Sequence, residues 1–222
     1  MKKIYAIGDI HGSYDRLKRM LPLIPFQPGD TLVFLGDYVD RGYQSKEVLD
    51  LLMYLKDLCV DNITPTGVEL VFLMGNHEYM MLDAIDGINI NLWMANGGTD
   101  TMRPFHDKLP DQKYIDFLKS LQLYYETEDY IFVHAGISPR TNVNMSLQCS
   151  DDLLWIRMAF IEDNSDYGKK IIFGHTPFQK PLIKKNKIGI DTGACFGKAV
   201  SRLGNLTCIQ LPDEKFIQVG RD

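Results

Sequence analysis

A chain of 222 residues with 45% hydrophobic content can bury a full core, and its length suits one large α/β domain over residues 1–222. The formal net charge of −5 excludes a global basic field for nucleic acid or an anionic membrane surface, so any phosphate recognition has to be local. Cys59, Cys149, Cys195 and Cys208 are widely spaced with no Cys-x-x-Cys pair, which suggests neither a thiolate zinc site nor a small disulfide framework and leaves four reduced, mostly buried thiols as the expectation. No stretch approaches the ~20 apolar residues of a membrane span. Asp9 and His11 interrupt the apolar run after Met1-Lys2-Lys3 before a signal peptide can form, so the expected location is the cytoplasm.

Ile4-Tyr5-Ala6-Ile7 has the texture of a strand buried on both faces, and Ser13 to Leu23 follows at helical spacing. The same strand, glycine-rich turn and helix recur as Thr31 to Leu35 with Ser45 to Leu58, where Val48, Leu49, Leu51, Leu52 and Leu55 form the apolar stripe and Ser45 is the expected N-cap. Asp61 to Gly67 reads as an exposed connection. Leu70 to Leu73 opens a third copy, with a helix from about His77 to Ala84, whereas Gly87 to Gly98 fits no element clearly. Asp111 to Leu121 is helical in pattern, Tyr124 to Glu126 and Tyr130 to His134 form a hairpin, and Ser150 to Glu162 is a capped amphipathic helix. Ile171 to Phe173, Ile188 to Ile190, Leu206 to Leu211 and Phe216 to Val219 complete the strands. Helices early and adjoining strands late favour a mixed sheet system. Lys169 to Lys187 holds six lysines and no acid, which reads as a solvated loop and strand edge.

Four of the five histidines lie in short glycine-bounded clusters that each follow an apolar run: Gly8-Asp9-Ile10-His11-Gly12, Gly75-Asn76-His77-Glu78, Val133-His134-Ala135-Gly136 and Gly174-His175-Thr176. A fifth cluster, Gly36-Asp37-Tyr38-Val39-Asp40-Arg41-Gly42, adds two carboxylates and an arginine. His106, in Phe105-His106-Asp107, stands apart and reads as a surface or capping residue. Ligands at strand ends are held by the sheet beneath them, so distant clusters can meet at one rigid metal site. Carboxylate, imidazole and amide oxygen point to Mn, Fe, Zn or Co rather than to thiolate chemistry.

Two ions roughly 3.5–4 Å apart need a ligand with two oxygens, and Asp37 is the candidate bridge. A water held between such ions loses its proton near neutral pH, which supplies a hydroxide for in-line attack without a basic side chain. The guanidinium fork of Arg41 matches two phosphate oxygens. Asp40 can fix the imidazole of His77 so that it donates a proton to the leaving group, while Asn76 ligates.

Together these blocks resemble the signatures of the phosphoprotein phosphatase (PPP) family of metallophosphoesterases, in order and approximate spacing from residue 4 to about residue 211. The chain resembles its compact bacterial and bacteriophage members, with Asn96-Gly97-Gly98 and Ile190-Asp191-Thr192-Gly193-Ala194 adding to the likeness. The resemblance implies a β-sandwich of two mixed sheets flanked by helices, with the metal site at strand ends. It implies two divalent ions, Mn²⁺ foremost, with Asp9, His11 and Asp37 on the first and Asp37, Asn76, His134 and His175 on the second. His77 with Asp40 would be the acid pair and Arg41 a phosphate clamp. Asp152-Leu153-Leu154-Trp155-Ile156-Arg157 matches a family segment carrying a second arginine, so Arg157 joins the clamp.

The implied activity is protein phosphatase of serine/threonine or dual specificity, with a phosphorylated protein as substrate and no obligate regulatory subunit. The alternative is a dinucleoside tetraphosphate hydrolase or another small phosphate-ester hydrolase. Related dinucleoside tetraphosphatases share the first three blocks but carry a Gly-His-Trp type sequence where this chain has Gly174-His175-Thr176-Pro177. Tyr38, Tyr43, Phe178 and Phe196 are the aromatics near the clusters that could stack on a base. A non-catalytic binding module would lack ligands or the catalytic histidine, and none is missing.

Overall fold

The structure, a computed structural model, describes residues 2–106, 108, 110–141, 144–196 and 203–220. The first apolar run forms β1 (Ile4–Ile7), followed by α1 (Tyr14–Met20). β2 (Thr31–Phe34) leads to α2 (Ser45–Asp57), and β3 (Glu69–Phe72) to α3 (Asn76–Ile85). After α4 (Ile90–Trp93), α5 (Thr99–Met102) and α6 (Gln112–Lys119) come the hairpin strands β4 (Tyr124–Glu126) and β5 (Tyr130–Val133). Two short helices, α7 (Ser150–Trp155) and α8 (Met158–Ile161), precede β6 (Lys170–Phe173). β7 (Leu182–Ile183), β8 (Lys187–Gly189), β9 (Leu206–Leu211) and β10 (Lys215–Val219) close the series.

Among the described residues the strands build two five-stranded mixed sheets, ordered β10-β9-β1-β2-β3 and β4-β5-β6-β8-β7. In the first, β1 is parallel to β2 and β2 to β3, with β9 antiparallel to β1. In the second, β5, β6 and β8 run parallel between antiparallel edges. Between the sheets lie Ala6, Val33, Leu35, Val71, Phe132, Ile172, Ile188 and Ile209, the inward residues of the central strands. The opposite face of the first sheet packs Ile7, Phe34 and Phe72 under Leu17, Val48, Leu52 and Phe117 of the helices. Ile131, Val133, Ile171 and Phe173 do the same for the second sheet under Leu153 and Phe160. Central strands covered on both faces explain the near-continuous apolar runs. The expected sandwich is thus present, and β1, β2, β3, β5 and β6 are the strands whose carboxyl ends lead into the five clusters.

Several local expectations change. The serine expected to cap α2 lies inside its first turn, with Gln44 as N-cap, because the Ser45 hydroxyl is taken up by the Asp40 backbone N–H at 3.1 Å. Ser150 to Glu162 is not one helix. The Leu153 carbonyl, which a continuing helix would offer to residue 157, instead accepts the N–H of Ala135 at 2.9 Å, and the chain breaks at Ile156 and Arg157. Of the four thiols only Cys208 is buried; Cys59 and Cys195 are intermediate and Cys149 is exposed. The lysine-rich segment is not wholly solvated either. Lys187 is fully buried, donates to the carbonyls of Phe160 and Asp163, and lies 4.0 Å over the Phe160 ring; burial pulls its pKa down to about 8. His106 is exposed and caps a 3₁₀ turn in the left-handed region, while Asp107 lies outside the described residues. Among the described residues no helix is long and apolar enough to cross a membrane.

Candidate metal centre

Each cluster leaves the carboxyl end of a parallel strand, the edge of an α/β sheet where ligand sites form. The backbone there is sharply bent. His11, Asp37, Asp40, Arg41 and His175 all have positive φ, between 45° and 69°. Such values are uncommon for non-glycine residues and persist where surrounding structure fixes them, which concentrates them at functional sites. Two glycines are needed for close approach: a Cβ on Gly174 would lie 2.1 Å from Asp9 Oδ1, and one on Gly75 would lie 2.2 Å from Asp37 Oδ1.

Asp37 stands at the middle. Its Oδ2 is 3.3 Å from His11 Nε2 and 4.0 Å from His77 Nε2, while its Oδ1 is 3.4 Å from His134 Nε2. Two ligand groups follow, His11–Asp37–His77 and Asp37–His134–His175; within each, the atoms lie within 4.8 Å of one another, and Asp37 belongs to both. Asn76 Oδ1 completes the second group, 3.0 Å from His134 Nε2 and 2.9 Å from His175 Nδ1. Asp9 is buried beside them, both its oxygens accepting the His175 N–H at 3.1 Å. The structure therefore brings together all six expected ligands. It differs from the expectation in placing His77, rather than Asp9, in the tight group with His11.

The tautomers indicate that cations belong here. His11 Nδ1 lies 2.9 Å from the Val39 carbonyl and His134 Nδ1 lies 2.9 Å from the Leu35 carbonyl. Burial lowers both imidazoles, His11 to about 3, so each is neutral with one N–H to give. Donating it to the backbone carbonyl leaves a lone pair on each Nε2; that of His134 faces oxygens of Asn76 and Asp37, an unfavourable contact that a bound cation reverses, and that of His11 faces Asp37 with Arg41 as its donor. Burial likewise lowers His175 to about 2, and its Nε2 has no hydrogen-bond partner. Among the carboxylates, burial, reinforced by Asp191 and Asp37, holds Asp9 well above its usual range, and burial raises Asp191 to about 6. Burial acts upward on Asp37 too, but the surrounding imidazoles, of which His77 is the one held toward its protonated form, outweigh it and lower the pKa of that carboxyl. Crowded buried carboxylates and lone pairs fit a pair of divalent ions.

The expected contact between His77 and Asp40 is present. His77 Nδ1 is 2.7 Å from Asp40 Oδ2, both fully buried, and Nε2 is left without a hydrogen-bond partner on the site side. Burial pulls the His77 pKa down, yet Asp37 and Asp40 outweigh it and raise it above the ordinary value. Two residues missed in the sequence hold Asp40: Trp93 Nε1 donates to both its oxygens at 3.1 and 3.0 Å, and the Thr101 hydroxyl donates at 2.6 Å. Arg41 Nη1 donates to His11 Nε2 at 3.1 Å. Arg157 is exposed, its Nη1 donating to the His175 carbonyl at 3.2 Å and Thr176 Oγ1 at 3.3 Å. The two arginines line one cleft with His175.

Glu78 was also missed. Its buried carboxylate accepts the N–H groups of Asp37 at 2.8 Å, Tyr38 at 2.7 Å, Val39 at 3.2 Å and Gly75 at 2.9 Å, tying the bridging loop to the start of α3. Burial and the Asp37 charge push its pKa up to about 8, against those four donors. A glutamate three residues after an N-cap is the capping-box spacing, so the signal was present in Gly75-Asn76-His77-Glu78. Glu78→Ala would orphan four buried donors; we expect a loss on the order of 3–5 kcal/mol in denaturant unfolding, together with lost metal binding.

Comparison with known proteins agrees with this geometry. The calcineurin-like phosphoesterase family profile matches residues 2–200. Symmetrical bis(5'-nucleosyl)-tetraphosphatases of Escherichia coli and Shigella boydii are 32% identical over 176 residues, covering 78% of this chain and 56% of theirs. The chain thus spans just over half the length of those relatives. Among solved structures, a candidate diadenosine tetraphosphatase superposes with TM-score 0.71 at 21% identity, covering 99% of this chain and 93% of its own. A cold-active protein-tyrosine phosphatase of a Shewanella species gives 0.67 at 20%, covering 98% and 77%. A serine/threonine phosphatase of Saccharomyces cerevisiae gives 0.64 at 20%, covering 100% and 76%. At such identities these three likenesses show the fold.

Proposed function

Because the chain belongs to the calcineurin-like phosphoesterase family, we propose that it is a metal-dependent hydrolase of dinucleoside polyphosphates, cleaving a tetraphosphate symmetrically into two nucleoside diphosphates. The observation that carries the substrate class is the 32% identity to symmetrical tetraphosphatases. This reverses the order expected from the sequence blocks, in which protein phosphatase stood first. Protein serine/threonine phosphatase is the second reading, favoured by the exposure of Arg157 at the cleft rim, within reach of a phosphorylated loop.

Asp9, His11, Asp37, Asn76, His134 and His175 would hold two divalent ions, with Asp37 common to both. When bound, the ions supply Lewis-acid charge that activates water and neutralises phosphate oxygens. The chain's own residues do the rest. Arg41 and Arg157 line one cleft beside His175, where their guanidinium groups can grip the nonbridging oxygens and stabilise charge that builds in the transition state. His77, steered by Asp40 and reaching the site through Nε2, gives a proton to the departing oxygen as the P–O bond breaks.

Arg157→Ala is expected to leave the metal content intact and to lower kcat/KM by about 10²-fold, visible in steady-state kinetics with elemental analysis. The substrate class is tested with metal-stripped protein restored with Mn²⁺ and given diadenosine tetraphosphate or a phosphothreonine peptide. A kcat/KM on the dinucleotide at least about tenfold higher, with ADP as the sole nucleotide product, supports the proposal. Preference for the peptide would replace it with the protein phosphatase reading.

A further inference from the structure

Two clefts open on either side of Arg41. One, of about 500 Å³, is lined by Asn96, Gly97, Arg157, Pro177 and Phe196. The other, of about 540 Å³, is lined by Ser13, Arg16, Arg19, Tyr43, Gln44 and Cys195. Arg41 is the residue common to both. Each has the size of a small-molecule site, and each carries an aromatic ring and at least one further arginine.

We propose that the cleft beside Tyr43 is a second nucleotide subsite, which holds one nucleoside end of a dinucleoside polyphosphate while the Phe196 cleft holds the other. This rests on the substrate class proposed above and assigns its two halves. Of the four aromatics near the clusters, two are committed to packing. Tyr38 is fully buried with its hydroxyl on the Leu73 carbonyl, and Phe178 packs edge-on against Phe173. Tyr43 is different. It is 72% exposed, with the Arg103 guanidinium over one side of its ring, 5.9 Å from the centroid, so the side left open is a flat face rather than a core contact. Base stacking on such a face is tolerant of base identity.

Charge agrees with a phosphate path. In a chain of net charge −5, this cleft gathers Arg16, Arg19 and Arg41 against Asp15, the one acid among its described lining residues. Arg19 is anchored through the Gly220 carbonyl at 2.6 Å. Arg41 is fixed in the left-handed region and backed by Gly97, where a Cβ would lie 2.7 Å from its backbone nitrogen. A polyphosphate centred on the metal ligands would meet Arg41 on leaving them toward Tyr43. A phosphorylated side chain has no second nucleoside to place there.

The test compares kcat/KM on diadenosine tetraphosphate with kcat/KM on p-nitrophenyl phosphate, using the full Mn²⁺-loaded chain. Tyr43→Ala is expected to lower that ratio at least about fivefold, and Tyr43→Phe to restore it. Equal effects on both substrates, or no effect, with a wild-type chain that cleaves the dinucleotide would overturn the subsite alone. A wild-type chain inert toward the dinucleotide would overturn the subsite and the substrate class together.

Discussion

Asp37→Asn is expected to abolish binding of both metal ions and to cut turnover by at least about 10³-fold, a larger effect than loss of any single phosphate contact. The substitution changes little else. Asparagine has nearly the same shape and tolerates the left-handed backbone that Asp37 occupies, with φ of 51°. The loop stays pinned by Glu78, whose carboxylate holds the N–H of residue 37 itself. What changes is the pair of oxygens: Oδ2 faces His11 and Oδ1 faces His134, so each half of the proposed centre would use one. An amide keeps one oxygen and turns an NH₂ group, which cannot ligate, toward the other half. It also removes the negative charge that lies among the four imidazoles, where two divalent ions would sit. Elemental analysis of metal per chain, beside kcat and an unchanged circular dichroism spectrum, checks this. Two ions retained in a folded variant would remove Asp37 from the bridging position.

The contrast between what the chain advertised and what it concealed follows from interaction range. The ligand clusters were legible because each is local: an apolar tetrad, a turn, and chemistry within five residues, as in Ile4 to His11. The elements preceding them were legible for the same reason. The supports were not. Trp93 reaches Asp40 from Gly87 to Gly98, the segment whose pattern fits no element clearly and in which Gly97 has φ of 106°, and Thr101 reaches it from just beyond. Nothing in an indole's sequence neighbourhood says that its N–H will meet a carboxylate 53 positions earlier. The break before Arg157 is a tertiary event as well, since the competing donor for the Leu153 carbonyl is Ala135 in the His134 turn. Lys187 misled in the opposite way: a lysine among lysines reads as solvated, and only the fold supplies the two carbonyls and the ring that accept it. Substrate choice has a similar origin. The blocks encode the chemistry of phosphate hydrolysis and place aromatics such as Tyr38 and Tyr43 beside it, but only the fold decides that Tyr38 is buried while Tyr43 stays exposed to a substrate.

His77→Asn separates the chemistry from the metal site, and its expected result is a fall in kcat of about 10²–10⁴-fold with metal content unchanged. His77 sits in the first turn of α3, its backbone N–H on Asp37 Oδ1 at 3.1 Å and its Nδ1 on Asp40 at 2.7 Å. Those contacts leave Nε2 as the one ring atom available to substrate. The loss should depend on the leaving group, because a proton matters most to the most basic departing oxygen. A phosphothreonine alkoxide is strongly basic, a nucleoside diphosphate far less so, and p-nitrophenolate still departs readily without help. The variant's defect should therefore be deepest on the peptide and similarly small on diadenosine tetraphosphate and p-nitrophenyl phosphate, whose leaving groups are both weakly basic. Asp40→Asn should reproduce the same ranking with a shallower loss, since it disturbs the orientation of the ring rather than removing it. The metal measurement gives the experiment its second edge. His77 Nε2 lies within the tight group of His11 and Asp37, so an ion lost from His77→Asn would make this residue a ligand and leave the proton to another donor. Full occupancy with a leaving-group-dependent defect would fix it as the acid.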